Sequence, residues 1–277
     1  MTEPLTQAAE IFEAVSRIKA VATGFSTSFF AGPQQTQVWL NNQTLSCQEG
    51  RSDLLIFRRD QDFHHIYHVA ASTGHLQTAL QSITGAEGNP WPVLTADLVG
   101  PASETETVAG VYRECGFTDY ASLVRMIRVA DGTPDTAAAP TGVEIAGSAD
   151  LGVVSTFLTQ SLDRFRDQIP DVEALEAALA LGNILIERRT HGLGGLLFFE
   201  TTGLTSHLRY WYVDPRFQNQ GIGGRLLKTW FRVCCGCKRF ILWVVSDNED
   251  AIARYRHYGF RDDRLVDRIM IYRKEQP

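Results

Sequence analysis

The sequence predicts a mixed α/β protein, of the α+β class with a mixed sheet, built from two tandem copies of one domain. Apolar segments with strand-like and helix-like spacing alternate along the chain. Two blocks separated by about half the chain, YRECGF at 112–117 and YRHYGF at 255–260, share Tyr, Arg, Gly and Phe at the same offsets. In the second copy, a strand-like run at 207–213 leads into a glycine-rich turn and an amphipathic helix.

The stretch 131–142 contains few large apolar residues and is predicted to link the two copies. The first domain is then 1–130 and the second 143–277. In the first, we predict a helix over 5–22 and strands at 36–40, 53–58 and 63–70. The second has the order strand, two helices, three strands, glycine turn and helix, strand, helix, strand.

Composition limits the possible functions. The chain has 277 residues, 44% of them hydrophobic and 21% charged, which is typical of a globular protein. Its formal charge of -6 gives no general attraction to nucleic acid or to an anionic membrane. The first residues resemble no signal peptide, and no run of about 18 apolar residues occurs. We therefore expect a cytoplasmic protein without a membrane partner.

The cysteine and histidine patterns predict neither a disulfide framework nor a metal site. Five cysteines are an odd number, and the cluster at 234–237 has no fourth ligand near it in sequence. We expect these thiols to pack at the end of a helix, with Gly236 just after it. Three histidines lie in the run 63–70, but His64 and His68 alternate with His65 and so point to the opposite face.

The glycine-rich turn at 218–225 carries the clearest functional signal. Glycines at a helix start allow a close approach to the backbone, whose free N–H groups and helix dipole favour a phosphate. A P-loop would need Gly-Lys followed by Ser or Thr, and Gly224 is followed by Arg225. A dinucleotide fingerprint would need glycine at position 226, which is Leu226. The turn thus predicts a phosphate site of a different kind.

Gln218, Gly221 and Gly223, which follow a Val-x-Pro strand end, match the pattern Q/R-x-x-G-x-G/A. This turn resembles the acetyl-CoA loop of the GNAT (GCN5-related N-acetyltransferase) superfamily. Residues 248–260 match a second motif of that family, N-x-x-A-x-x-x-Y-x-x-x-G-F, at every signature position. The element order of the second copy is also that of the GNAT fold. The resemblance implies two tandem GNAT-like domains, the second of them intact.

The first copy resembles a degenerate GNAT domain. It keeps Tyr112, Gly116 and Phe117 of the later motif. After its strand at 63–70, however, the sequence Ser72-Thr73-Gly74-His75 contains one glycine and no pyrophosphate loop. We expect this domain to hold no acetyl-CoA and to shape the acceptor pocket of the second, so that the chain is a monomer with an intramolecular pseudo-dimer.

The resemblance implies acetyl-CoA, or another acyl-CoA, as co-substrate and no metal. Backbone groups of the turn would hold its pyrophosphate, the end of the 207–213 strand would pair with the pantetheine arm, and Tyr255 would protonate the leaving sulfur. The implied binding residues are Val213, Gln218, Asn219, Gln220, Gly221, Ile222, Gly223, Gly224, Arg225, Asn248 and Tyr255.

The general base is less well defined. His207 lies near the place where some family members carry a glutamate, and an imidazole titrates in the useful range. Glu187 and Glu200, near the ends of neighbouring predicted strands, are the rival candidates. Strand alternation places Tyr210 and Tyr212 on one face with Leu208, opposite His207, and the two tyrosines could line an acceptor pocket.

The resemblance predicts an N-acyltransferase that moves an acetyl or other acyl group from acyl-CoA to a primary amine of a small molecule or peptide, by direct attack in a ternary complex. Two alternatives remain open. The donor could instead be an aminoacyl-tRNA or a carrier-protein-bound acyl group. Apart from such a tRNA, we expect no nucleic-acid partner. The chain could also be a CoA-binding interaction protein without catalysis.

Overall fold

The computed structural model describes residues 7–85, 90–130, 141–190 and 192–274, which form two compact mixed α/β units. The first unit comprises Met1–Leu123 and Arg264–Pro277, and the second comprises Val124–Asp263. This division differs from the predicted boundaries of 1–130 and 143–277, because the last strand of the chain groups with the first unit. Most of the predicted linker, residues 131–140, lies outside the described residues.

The described part of the first unit begins with helix α1 and ends with the last strand of the chain. Its helices are α1 (Ala8–Ala20), α2 (Pro33–Asn41), α3 (Thr73–Thr84) and α4 (Ala102–Glu114). Its strands are β1 (Ser26–Thr27), β2 (Leu45–Glu49), β3 (Asp53–Asp60), β4 (Phe63–Ala70) and β5 (Val93–Pro101), with the first half of β6 (Thr118–Val129) and most of β12 (Arg261–Arg273). The strand order β2-β3-β4-β5-β12 places β4 and β5 side by side in parallel.

Strand β4 is buried on both faces, although three of its eight residues are histidines. Ile66 and Ala70 pack in the core formed with α3 and α4, while Tyr67 and Val69 pack in the core formed with α1. The predicted alternation of this strand is confirmed. The strand predicted at 36–40 is wrong: these residues lie in α2, which starts at Pro33 as its first helical residue.

The second unit carries the glycine-rich turn. Its helices are α5 (Leu151–Ser161), α6 (Val172–Ala180), α7 (Ile222–Val233) and α8 (Glu249–His257). Its strands, besides the second half of β6, are β7 (Glu144–Ile145), β8 (Ile184–Arg189), β9 (Gly192–Thr202), β10 (Thr205–Val213) and β11 (Arg239–Val245). They are ordered β11-β10-β9-β8-β7, with β10 and β11 parallel and the other neighbours antiparallel.

Helix α7 lies directly on β9, and two glycines of that strand make the close approach possible. A Cβ on Gly195 would come within 2.8 Å of Ile222 Cγ2, and one on Gly194 within 3.1 Å of Ile222 Cδ1. Since no side chain intervenes, the first turn of α7 lies against the sheet, and the helix buries Ile222, Leu226 and Trp230. This packing fixes where the glycine-rich turn ends.

Two further observations concern the described residues as a whole. None of the helices there has the length and apolar character that a membrane crossing needs. Within the same ranges, no three His, Cys, Asp or Glu side chains are grouped as metal ligands would be. Cys234 forms the C-cap of α7, close to the predicted helix end.

Candidate active site

A gap opens between β10 and β11 halfway along their length. The two strands pair from Thr205 with Arg239 to Leu208 with Leu242, and their register stops there. Strand β10 continues to Val213 while its other edge remains paired with β9. The edge of β10 from 209 to 213 therefore has no strand partner among the described residues, and its backbone groups can pair with an extended ligand.

A β-bulge at Arg209 marks the start of this gap. Its register against β9 shifts between Leu208 and Tyr210. The extra residue reverses the alternation beyond it. Leu208 lies in the core beneath α7, whereas Tyr210 lies in the core beneath α5 and α6. The prediction that Leu208 and Tyr210 share a face is therefore wrong, and Trp211 is the residue that turns toward the α7 core.

The turn between β10 and α7 presents a run of free backbone N–H groups. Those of residues 219–224 make no hydrogen bond among the described residues. Asn219 and Gly221 adopt positive φ values of 62° and 75°, which turn successive peptide groups to one side. The first turn of α7 contains no acidic residue. Free N–H groups at the positive end of a helix make this turn suited to a phosphate.

A cluster of ion pairs around the buried Glu187 supports the turn. Arg225 donates through Nε to Glu187 Oε2 at 2.9 Å and through Nη1 to the Gln220 carbonyl oxygen at 2.9 Å. Glu187 also pairs with Arg189 Nη2 at 2.6 Å and is 1% exposed. Burial raises the pKa of Glu187, but the hydrogen bonds from Arg225 and Arg189 outweigh it, and the pKa lies below its usual value. Glu187 is a fixed anion that anchors the loop.

Tyr255 of α8 lies on the α7 side of the sheet. Its ring packs against Trp211 with centroids 5.2 Å apart and against Phe260 at 5.8 Å. The residue is 6% exposed, and its hydroxyl makes no hydrogen bond within the described part of the chain. Burial raises its pKa above the ordinary value, so the hydroxyl stays protonated at neutral pH.

The family comparison matches this part of the chain. The model of the acetyltransferase (GNAT) family matches residues 156–260, which span the gap, the turn and Tyr255. Residues 156–260 of the second unit are therefore similar to the GNAT acetyltransferase family. A GCN5-related N-acetyltransferase from Sphaerobacter thermophilus superposes over 97% of this chain and 92% of its own with a TM-score of 0.62 at 13% identity. A tandem GNAT protein from the clavulanic acid biosynthesis pathway superposes over 99% and 98% with a TM-score of 0.61 at 15% identity.

Two curated relatives resemble a shorter stretch. The thialysine N-epsilon-acetyltransferase of Sus scrofa is 34% identical over 74 residues, and that of Mus musculus is 32% identical over 74 residues. Each match covers 26% of this chain and 44% of the relative, so less than half of either relative is represented.

Several predicted site residues of the second unit have structural contacts of their own. Asn248 is the N-cap of α8, and its side chain accepts a hydrogen bond from the Ala251 N–H at 3.0 Å. The Tyr210 hydroxyl lies 2.8 and 2.7 Å from the carbonyl oxygens of Asp167 and Gln168, which share its one hydrogen, and so fixes the connection between α5 and α6. Tyr212 packs edge-on against Phe157 of α5.

The three candidate bases differ in their surroundings. Burial, followed by the charges of Arg209 and Arg125, lowers the pKa of His207 to about 4. The expected titration near neutrality is therefore wrong. Glu187 is held between two arginines, as described above. Glu200 of β9 is paired with His207 of β10; its side chain is 52% exposed and lies 3.9 Å from Arg209 Nε.

The corresponding gap in the first unit is filled by the protein itself. There β4 and β5 pair only from His64 with Leu94 to His65 with Thr95. Because β3 occupies the whole of one edge of β4, the short strand β1 pairs with the other edge, Ser26 with Ala70 and Thr27 with Val69. The Ser28 N–H also donates to the His68 carbonyl oxygen at 3.0 Å. This internal segment, residues 26–28, closes the edge that β10 leaves open.

The first unit lacks two further features of the second. The pairing of β3 with β4 runs without a register shift, so there is no bulge. Helix α3 begins directly after β4 with Ser72 as an ordinary N-cap, whose side chain accepts from the His75 N–H. No residue of that turn has a positive φ. The absence of the loop motif from this part of the sequence thus coincides with a plain helix start.

Gly223 has a packing role that the sequence does not reveal. A Cβ there would lie 2.9 Å from Trp211 Cζ2, inside normal contact distance. We expect Gly223→Ala to lower stability by about 1–3 kcal/mol through overpacking. Gly223→Ala combined with Trp211→Phe should recover most of this loss, because phenylalanine lacks the contacting ring atoms. Urea denaturation of the four proteins in this cycle measures the coupling; additive effects of the two substitutions would contradict it.

Proposed function

We propose that the second unit is an N-acyltransferase that moves an acetyl or other acyl group from acyl-CoA to a primary amine of a small molecule or peptide. The observation that supports this most is the run of free N–H groups at 219–224 leading into the unpaired edge of β10. Such a surface suits a ligand with a pyrophosphate at one end and an extended, amide-containing arm at the other. Tyr255 stands beside that path.

The roles of the residues follow from the chemistry. In the transfer, the amine nitrogen bonds to the acyl carbon, the carbon–sulfur bond breaks, the amine loses a proton and the sulfur gains one. The backbone N–H groups of 219–224 hold the pyrophosphate, with Arg225 fixing the loop rather than touching the ligand. N–H groups of the β10 edge near the bulge stabilise the carbonyl oxygen as it gains charge. Tyr255 is the proton donor to the sulfur.

We assign the base to Glu200, directly or through one water. Its half-exposed carboxylate is next to His207 on the face of the sheet opposite Tyr255, so acid and base approach the reaction from opposite sides. Glu187 is excluded by its two arginine partners. We regard His207, whose ring is uncharged at neutral pH, as a wall of the acceptor pocket with Tyr212.

The first unit has a supporting role in this proposal. Its internal segment at residues 26–28, its unbulged β4 and its serine-capped α3 together favour a unit that binds no acyl-CoA. One molecule of CoA per chain is then expected. A tRNA or carrier-protein donor is the second candidate for the reaction, and the free N–H run favours free CoA, whose pyrophosphate would reach it.

Isothermal titration with CoA tests the first step of this proposal, and thiol release from acetyl-CoA in the presence of an amine panel tests the second. The panel begins with thialysine, lysine and short peptides because of the resemblance to thialysine N-epsilon-acetyltransferases. We expect a stoichiometry of one and turnover with at least one amine. CoA binding without turnover on any amine would favour the interaction protein, and absent CoA binding would overturn the proposal.

The pH dependence separates the candidate bases. His207 contributes no change to the pH–rate profile near neutrality, because its pKa of about 4 leaves the ring uncharged there. We expect His207→Gln to keep the shape of the kcat/KM profile between pH 6 and 8, and Glu200→Gln to lower kcat/KM by about 10²-fold or more. A neutral limb that disappears in His207→Gln would return the base to His207.

His207 should nevertheless affect stability in acid. Its folded pKa lies below the unfolded value of about 6.5, so the unfolded chain binds the proton more readily. The wild type should therefore lose stability as the pH falls from about 6.5 toward 4, and His207→Gln should lose less over that window. Denaturation midpoints at pH 7 and pH 5 report the difference.

A further inference from the structure

A buried hydrogen-bond donor lies unused at the gap between β10 and β11. Trp211 is two residues before the end of β10, and its indole Nε1 is buried and has no hydrogen-bond partner among the described residues. The ring lies between Tyr255, at a centroid distance of 5.2 Å, and Gly223, whose absent Cβ would be 3.4 Å from Nε1. Leaving an N–H buried and unpaired is costly, and such groups in native proteins call for an explanation.

The first unit shows how the same position is satisfied when the gap is filled. Its strand β4 ends at Ala70 as β10 ends at Val213, so His68 corresponds to Trp211, and Tyr112 to Tyr255 in the shared motif. His68 Nε2 lies 2.9 Å from Ser26 Oγ, and Nδ1 lies 3.0 Å from the Tyr112 hydroxyl. Burial lowers the pKa of His68 to about 3, so the ring is neutral. Ser26 belongs to the internal segment that pairs with the edge of β4.

In the first unit, this side-chain position has a partner from the segment that fills the gap. In the second unit, whose gap is open, it has none within the described ranges. We propose that Trp211 is a cofactor-positioning residue whose indole N–H donates a hydrogen bond to the pantetheine arm of bound acyl-CoA. This inference rests on the proposed function, because it takes the ligand in the gap to be CoA. The arm carries two amide carbonyls and a hydroxyl, each an acceptor for an N–H donor.

The position of Trp211 connects the two ends of the ligand site. The ring packs on Gly223, in the first turn of the phosphate-binding helix, and on the ring of Tyr255. A hydrogen bond from Nε1 would fix the arm between the pyrophosphate and the proton donor. Trp211 was not singled out by the sequence, where an aromatic residue in a strand is most simply a core residue.

The test uses the full chain and Trp211→Phe, which keeps an aromatic ring and removes the N–H. We expect its Kd for CoA to rise about 3- to 10-fold, the usual effect of one hydrogen bond. Its Kd for adenosine 3′,5′-bisphosphate, which has no pantetheine, should be unchanged. The denaturation midpoint without ligand should be unchanged or higher, because the substitution removes an unpaired donor rather than a bond.

Trp230→Phe is the matched control. Trp230 of α7 is fully buried, and its Nε1 already donates to Ser206 Oγ at 2.9 Å. Its loss should lower stability without selectively weakening CoA over adenosine 3′,5′-bisphosphate. In a second readout, the ¹⁵N-labelled indole resonance that disappears in Trp211→Phe should shift when CoA is added to the wild type, and should not shift with the bisphosphate.

The possible outcomes are distinct. If the wild type does not bind CoA, the proposed function fails and this inference with it. If the wild type binds CoA, an unchanged Kd in Trp211→Phe or an unshifted indole resonance would overturn the inference alone. Equal weakening of CoA and the bisphosphate would also overturn it, since Trp211 would then act by supporting the phosphate-binding turn through Gly223.

Discussion

Tyr255→Phe is expected to lower kcat by about 10²- to 10⁴-fold while leaving the Kd for acetyl-CoA nearly unchanged. The substitution removes only the hydroxyl, which makes no hydrogen bond in the described residues, so the packing on Trp211 and Phe260 is preserved. Without a proton donor, the sulfur must leave as a thiolate or take its proton from water. Single-turnover kinetics with acetyl-CoA, together with calorimetry, measures the two quantities separately.

The first unit provides the control for this substitution. Tyr112 occupies the equivalent place in the shared motif, but its hydroxyl is 3.0 Å from His68 Nδ1 and it is fully buried. Tyr112→Phe should lower stability by about 1–3 kcal/mol, because it leaves His68 with an unsatisfied ring nitrogen, and should leave kcat close to wild type. Full activity in Tyr255→Phe would reduce that residue to a packing role.

The parts of the site that the sequence predicted are those in which neighbouring residues act together. The turn from Gln218 to Arg225 is one continuous stretch, and its glycines can be recognised without knowing the rest of the fold. The helix motif ending in Gly259 and Phe260 is likewise local, and Gly259 has the positive φ of 85° that favours glycine at a helix end. Both motifs lie where the strand and helix patterns placed them.

The faces of β10 could not be predicted, because they depend on one inserted residue. Alternation along an unbroken strand puts Tyr210 with Leu208, whereas the bulge at Arg209 separates them. Nothing in the sequence LRYWYV marks which residue is extra, since a bulge is defined by the pairing with β9. Alternation along an unbroken strand also puts Trp211 on the face opposite Leu208, whereas the bulge turns it toward Tyr255 and Gly223.

The environment of His207 and Glu187 also depends on distant residues. The pKa of His207 falls because burial removes water and because Arg209 and Arg125 add positive charge, and Arg125 is far away in sequence. Glu187 meets Arg225 across 38 positions of the chain. The sequence offered both as bases from their place near strand ends, and only the fold assigns their neighbours.

The predicted domain boundaries and the strand predicted at 36–40 differ from the structure for other reasons. The segment 264–273 looks like the last strand of the second copy, yet it pairs with Val93–Pro101 in the first unit. A repeat in the sequence does not indicate with which unit its last strand pairs. In α2, Thr36, Val38 and Leu40 alternate with polar residues and Trp39 as in a strand, but Pro33 and the packing of Trp39 against the α1 core decide for a helix.

Glu187→Ala is expected to lower the free energy of unfolding of the second unit by about 3 kcal/mol. Removing one member of a buried ion pair usually costs about 3–5 kcal/mol, and the lower end applies here because Arg225 and Arg189 are partly exposed. The loss should extend to the ligand site, since Arg225 also holds the Gln220 carbonyl oxygen. The Kd for CoA should therefore rise as well, and Glu187→Gln should show a smaller effect on both.

Glu144→Ala is the matched control for this prediction. Glu144 pairs with Arg188, the neighbour of Arg189, but both side chains of this pair are about half exposed, so its loss should cost less than about 1 kcal/mol. Acid should also reduce the difference between wild type and Glu187→Ala. The folded pKa of Glu187 lies below the unfolded value of about 4.3, so its contribution is complete above that pH and is lost as the pH falls through the folded pKa. Urea denaturation at pH 7 and near pH 4 measures both differences; equal stability of the wild type and Glu187→Ala at pH 7 would show that the turn does not depend on this anchor.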